Sequence, residues 1–328
     1  MRKCITIVVL VMVLFLIGCQ GPRIRLFRSA EDPLREFTLE GDAKGKVLVI
    51  HIRGTISDAP RRRLVTTGPS MLQEVVSQLR KAEKDSEIKA LLLKINSPGG
   101  SATASDILYN EIVAFKQKTG AKVVVAMMDV AASGGYYISL PADYILAHPT
   151  TITGSVGVLF LRPDVAGLID KIGISVDVSK TGENKDMGSP FRPASDEEKR
   201  IVQNMVDHLG QRFLALIAEH RRIDPQSLKE ISTARIYLAD DALRLGMVDR
   251  VGYLSEAVSE AKKLAELPEN AKVIVYRRTT FPDDNLYNTT TSQYESQGLS
   301  IVSLDLPASL TISQAGFYYL WQPGAMDQ

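Results

Sequence analysis

The sequence predicts an α/β fold, and three observations carry that expectation. Short runs rich in Val, Ile and Leu alternate with segments of helical period through most of the chain. One run, Ala90-Leu91-Leu92-Leu93, is apolar at every position, as in a strand whose sheet is covered on both faces. Twice a strand-like run breaks at small residues and restarts as a helix, at Asn96-Ser97-Pro98-Gly99-Gly100-Ser101 and again from Asp129 to Tyr137. Together these fit repeated ββα or βαβ units.

The elements follow in order. Val47 to Ile52 reads as a strand ended by Gly54, with His51 at a strand edge. Met71 to Lys81 has helical spacing, with Leu72, Val75, Val76 and Leu79 on one side. Ile88 to Ile95 is the next strand and Ala104 to Lys116 the next helix. Lys122 to Met128 and Asp143 to Ala147 are strands, and Thr151 to Val158 is β-rich and punctuated by glycine. Val165 to Lys171 is expected as a helix and Ser175 to Ser179 as a strand. The polar stretch Gly182 to Pro190 is a loop. Ser195-Asp196-Glu197-Glu198 looks like a capping box that opens a helix reaching about Arg221. Further helices are expected over Pro225 to Ile231, Asp240 to Leu245 and Ser255 to Ala265, and a strand over Lys272 to Tyr276. Thr279 to Leu299 is polar, an exposed segment. The aromatic cluster Phe317-Tyr318-Tyr319-Leu320-Trp321 needs a surface to bury it, on its own body or on a neighbour.

The chain has 328 residues, enough for one large domain or two modest ones. A formal net charge of +1 and the lack of any basic block argue against nucleic acid as the main partner. Both cysteines, Cys4 and Cys19, lie at the N-terminus, which leaves the body no disulfide framework and no Cys-based metal site. Arg2 and Lys3 precede an uncharged apolar run from Ile5 to Ile17. That run is shorter than the roughly 20 residues of a membrane span and fits a secretory signal. It ends in Leu16-Ile17-Gly18-Cys19, which resembles a bacterial lipobox and implies cleavage before Cys19 and lipid on its thiol. The other reading is a retained anchor over Ile5 to Gly18. Either one places the body outside the cytoplasm, tethered to a membrane, and in the periplasm if the cell has two membranes. The expected organisation is a lipoprotein signal over 1–18, a tether over 19–45, a catalytic domain over 46–267 and an extension over 268–328 that ends in the docking tail.

A strand that breaks at small residues and restarts as a helix leaves N–H groups unpaired, and these favour negative charge beside them. Ser133 in such a turn has what an acyl-transfer nucleophile needs, although Ser and Gly also make ordinary caps and turns. Two such turns at neighbouring strand ends could aim their N–H donors at one point, as an oxyanion site.

Several motifs in one order resemble the short form of signal peptide peptidase A. They are Asn96-Ser97-Pro98-Gly99-Gly100, Ala132-Ser133-Gly134-Gly135-Tyr136-Tyr137, Thr153-Gly154-Ser155-Val156-Gly157-Val158 and Lys185-Asp186-Met187-Gly188-Ser189-Pro190. Arg235-Ile236-Tyr237 and Leu245-Gly246-Met247-Val248-Asp249 match a later signature, so the resemblance covers about Val47 to Lys263. Ala234 and Leu238-Ala239 depart from the usual pattern away from the proposed dyad. The resemblance implies a crotonase/Clp-protease-like fold and a Ser/Lys dyad, with Ser133 as nucleophile and Lys185 as general base. Ser155 would orient the lysine, and the N–H groups of Gly100 and Gly134 would form the oxyanion hole. It also implies remnant signal peptides as substrates, and homo-oligomeric rings, commonly octamers, whose adjacent subunits share each site. No cofactor or metal is called for.

A lysine acts as a base only when neutral. The ordinary value for the side chain is near 10.4, and desolvation lowers it by roughly 3 to 5 pH units. The dyad therefore needs a dry site in which Glu183 and Asp186 are turned away from Lys185. Three other readings compete. A Ser-His-Asp hydrolase would draw on His51, His148, His208 or His220, although Ser133 lacks a G-x-S-x-G elbow. A crotonase-type acyl-CoA enzyme would not need Lys185. A non-catalytic envelope scaffold would need neither residue.

Overall fold

The computed structural model describes residues 33–62, 67–278, 284–287 and 316–321. The secretory signal, the lipobox and Cys19 lie outside them, as does most of the polar stretch from Thr279 to Leu299. The chain opens with β1 (Arg35–Glu40), β2 (Ala43–Arg53) and a small pair, β3 (Arg61–Arg62) and β4 (Thr67–Gly68). Helix α1 (Met71–Ala82) leads to β5 (Ile88–Ser97), and β6 (Gly99–Ser101) runs straight into α2 (Ala102–Thr119). Next come β7 (Lys122–Ala132), the single turn α3 (Gly134–Tyr137), β8 (Tyr144–Ala147), β9 (Ile152–Gly154), β10 (Leu159–Leu161) and α4 (Ala166–Lys171). Helices α5 (Asp196–His220) and α6 (Pro225–Ile231) precede β11 (Ile236–Leu238), α7 (Ala239–Arg244), β12 (Arg250–Val251), α8 (Leu254–Leu264) and β13 (Ala271–Arg277). The last described strand is β14 (Gly316–Leu320).

The main sheet has the order β1-β13-β2-β5-β7-β8-β12, with β9 paired to the upper end of β7 and β11 to β9. Its centre is parallel, and β1 and β11 add antiparallel pairs at its margins. The apolar run in β5 has its cause here, because each face of that strand meets its own core. Leu91, Leu93 and Ile95 join one cluster with Val75 and Leu79 of α1, Leu108 and Phe115 of α2, and Phe213 of α5. Ala90 and Leu92 join a second cluster with Val47, Val124 and Ala257, Val258 and Ala261 of α8. A second, three-stranded sheet has the order β10-β14-β6 and is antiparallel throughout.

Local chemistry sets the helix ends. Ser70 and Gln73 close a capping box on α1, and Ser195 and Glu198 close another on α5. Gly120 ends α2 at φ 69°, a left-handed conformation that favours glycine. Asp224 caps α6 ahead of Pro225.

β1, which lies in the expected tether, and β13, which lies in the expected extension, pair with each other in the main sheet, and β13 lies beside β2. Two expectations need correction. His51 sits on an interior strand between β13 and β5, opposite Lys94, rather than at a sheet edge. Residues 175–179 form no ladder among the described residues. Their alternating Val176 and Val178 stand exposed, because nothing among the described residues pairs with them.

Candidate active site

Three strand ends meet at Ser133. β7 delivers it at the sheet's upper edge, between Ser97 of β5, which pairs with Ala131, and Gly154 of β9, which pairs with Ala132. The side chain of Asn96 locks the first junction, donating to Asp129 at 2.7 Å and accepting from the Val130 N–H at 3.2 Å. The Ser133 N–H donates to the Gly154 carbonyl at 2.7 Å, and its own carbonyl accepts from the Tyr137 N–H at 2.8 Å. The chain must reverse within one residue to satisfy both bonds, and Ser133 takes φ 54° and ψ −116°. A non-glycine residue there carries strain on the order of 1–3 kcal/mol, of the kind that collects at reactive sites. The turn resembles a nucleophile elbow in shape without its sequence.

Small residues let the flanking turns close on the serine. A Cβ on Gly134 would lie 2.5 Å from Ser105 Oγ and 3.1 Å from Gly99 Cα, and a Cβ on Gly135 would lie 2.7 Å from the Ser97 carbonyl. The Gly99 turn has an internal brace. Ser97 Oγ accepts from the Gly99 N–H at 3.1 Å and donates to the Gly54 carbonyl at 2.7 Å. Ile56 takes up the far edge of this strand, donating to Gly99 O at 2.8 Å and accepting from the Ser101 N–H at 2.9 Å. The N–H of Gly100 therefore points away from Ile56. Gly100, Gly134 and Ser133 are thus gathered by the two Gly turns, and Ser155 follows directly on Gly154.

Ser133 is 1% exposed, and its Oγ has no hydrogen-bond partner among the described residues. An unpaired buried hydroxyl costs on the order of 1–3 kcal/mol and calls for a reason. No histidine supplies one. His148 bonds Thr150, His220 bonds Tyr109, and neither His51 nor His208 reaches the serine. Lys185 is not brought to it within one chain either. It sits exposed in the 182–190 loop. Its acidic neighbour is already engaged. Asp186 bonds Arg192 and Lys180, which together hold its carboxyl well below the ordinary carboxylate range. Arg192 also pulls buried Glu198 down to about 2.

The roles of the Asn96 side chain and of Tyr137 carried no signal in the sequence beyond their place in the motifs. Tyr137 anchors α3 by donating to Asp106 at 2.5 Å. Buried Tyr136 does the same through the Met247 carbonyl at 2.9 Å.

The family model described as peptidase family S49 matches residues 115–268, and that of Clp protease matches residues 65–151. A signal peptide peptidase of the SppA type from Enterococcus faecium is 34% identical over 256 residues, covering 78% of this chain and 74% of that one. Protease 4 of Haemophilus influenzae is 36% identical over 241 residues, 74% of this chain and 38% of that protein. The chloroplastic serine protease SPPA of Arabidopsis thaliana is 32% identical over 246 residues, 73% and 36% respectively. The matched region is less than half of each of the latter two. A ClpP1 mutant from Listeria monocytogenes gives a TM-score of 0.40 at 20% identity, covering 64% of this chain and 94% of that one.

The molecule is therefore a serine peptidase with a Clp-protease-like α/β fold. Within that class, the chain belongs to the signal peptide peptidase A family, peptidase family S49.

Proposed function

We propose that the chain is a membrane-tethered endopeptidase that uses a Ser133/Lys185 dyad, with the lysine of each site supplied by a neighbouring copy. One observation carries the reading. Ser133 holds a strained turn beside the Gly99-Gly100 and Gly134 backbone, yet its Oγ meets no base among the described residues. Exposed Leu168, Ile172, Ile174, Val176, Val178 and Phe191 lie on the same stretch as Lys185, and such a surface favours burial against another copy. That contact would also dry the lysine.

In the reaction, Lys185 takes the proton of Ser133 as Oγ bonds to the scissile carbonyl carbon. The N–H groups of Gly100 and Gly134 hold the oxyanion, and Ser155 orients the amine. The C–N bond breaks, and the leaving amine takes the proton from Lys185. Water then splits the acyl-enzyme. The substrates on this reading are remnant signal peptides and other unfolded exported chains. The assembly is a ring, octameric by family resemblance, held at an extracytoplasmic membrane face by lipid on Cys19.

The test is hydrolysis of fluorogenic peptides by protein lacking residues 1–19. Ser133→Ala should abolish turnover, and Lys185→Ala should lower kcat by roughly 10²- to 10⁴-fold. Full activity in either variant would overturn the dyad.

A further inference from the structure

Strand β7 does not run evenly up to Ser133. Ile95 of β5 pairs with Met127 and Ser97 pairs with Ala131, so one residue of β5, Asn96, faces three of β7, Met128 to Val130. On its other side β7 pairs with β8 up to Met127 and with β9 from Val130 onward. Neither Met128 nor Asp129 has a ladder partner among the described residues. The strand therefore carries a bulge of two extra residues at the point where it changes neighbours, shortly before the serine. An even insertion keeps the alternation of faces, and Met127 and Ala131 belong to the same core cluster. A bulge of one residue would turn over the stretch that delivers Ser133.

Polar side chains hold this bulge from both flanks. From β5, the Asn96 amide donates to Asp129 at 2.7 Å while its oxygen accepts from the Val130 N–H at 3.2 Å. From the opposite side, the Thr151 hydroxyl donates to the Met128 carbonyl at 2.6 Å and lies 3.1 Å from the Met127 carbonyl. The Thr153 hydroxyl donates to the Ala131 carbonyl at 2.6 Å. Both threonines are fully buried, so their hydroxyls have little water to turn to instead. Thr151 stands directly ahead of β9, whose last residue, Gly154, accepts from the Ser133 N–H. The bulge and the acceptor that fixes the serine backbone are thus tied to one strand.

We propose that Asn96 and Thr151 are positioning residues for the peptidase reaction. They hold the bulge at two residues and so set Ser133 Oγ against the N–H groups of Gly100 and Gly134. The proposal rests on the reading of Ser133 as the nucleophile. A misplacement of about 1 Å at a reacting group costs roughly 10²-fold in rate. The loss falls on kcat rather than KM, because the aim of the serine changes and the ground-state contacts to the peptide do not.

The test measures kcat and KM on fluorogenic peptides with the assembled full chain, counting folded sites by the endpoint of Ser133 labelling with a fluorophosphonate. Thr151→Val keeps the shape of the side chain and removes the hydroxyl, whereas Thr151→Ser keeps the hydroxyl. Per labelled site, Thr151→Val should lower kcat by roughly 10²-fold with KM within about twofold of wild type, and Thr151→Ser should recover most of the loss. Asn96→Asp sets two carboxylates against each other and should lower kcat to a similar degree. Adding Asp129→Asn reverses donor and acceptor and should restore about tenfold or more. Lower melting temperatures with wild-type kcat per labelled site would show a role in folding alone and overturn the proposal. A double variant no faster than Asn96→Asp would overturn it too. If Asn96→Asp fails to fold, the two Thr151 variants make the comparison, and the Asn96 and Asp129 pair makes it if Thr151→Val fails. Wild type that cleaves peptides without being labelled at Ser133 would overturn the Ser133 reading itself, and the proposal with it.

Discussion

Ser133 shows how one residue can be held against its own preference. Its φ of 54° is fixed by the bond to Gly154 on one side and the first turn of α3 on the other. Glycine adopts that conformation freely and alanine does not. Ser133→Gly should therefore be more stable than Ser133→Ala by about 1 kcal/mol or more, read as a gap of about 2 °C in thermal melts. Equal melting temperatures would show that the turn is unstrained. The sequence made Ser133 a candidate through the small residues around it. It could not show the strain, which arises from a hydrogen bond to a residue 21 positions away.

At the scale of elements, helix starts were the most legible features, because capping is local. Ser195 caps the helix that its capping box announces, and the helices expected from Met71 and Pro225 start where Ser70 and Asp224 cap them. Pairing between distant strands was less legible. β1 and β13 read as a tether and an extension, and only their mutual pairing makes them part of the body. The run at 175–179 alternates like a strand, yet it has no partner among the described residues, and its apolar side chains are left outside.

The clasp at the start of α5 also belongs to this scale. Arg192 bonds Asp186 and buried Glu198, and both carboxyls are held below their ordinary values. A depressed carboxyl contributes stability that is present in full above its ordinary value, 4.5 for Glu198, and is lost as pH falls toward about 2. The melting gap between wild type and Arg192→Ala should therefore be wide at pH 6 and narrow at pH 3. A gap independent of pH would rule out the carboxyls as its source.

For the molecule as a whole, the sequence motifs named the groups of the proposed site, and the single chain brings only some of them together. The two Gly turns and the serine converge through the parallel sheet, while Lys185 stays exposed on a loop rimmed by unburied apolar residues. Complementation tests this division of the site most directly. Inactive Ser133→Ala and Lys185→Ala chains, unfolded together and reassembled in equal amounts, should recover roughly a quarter of wild-type peptidase activity, since random neighbours make that share of intact pairs. Activity no greater than that of either variant alone, in mixed assemblies of normal size, would contradict a base supplied by the neighbouring copy.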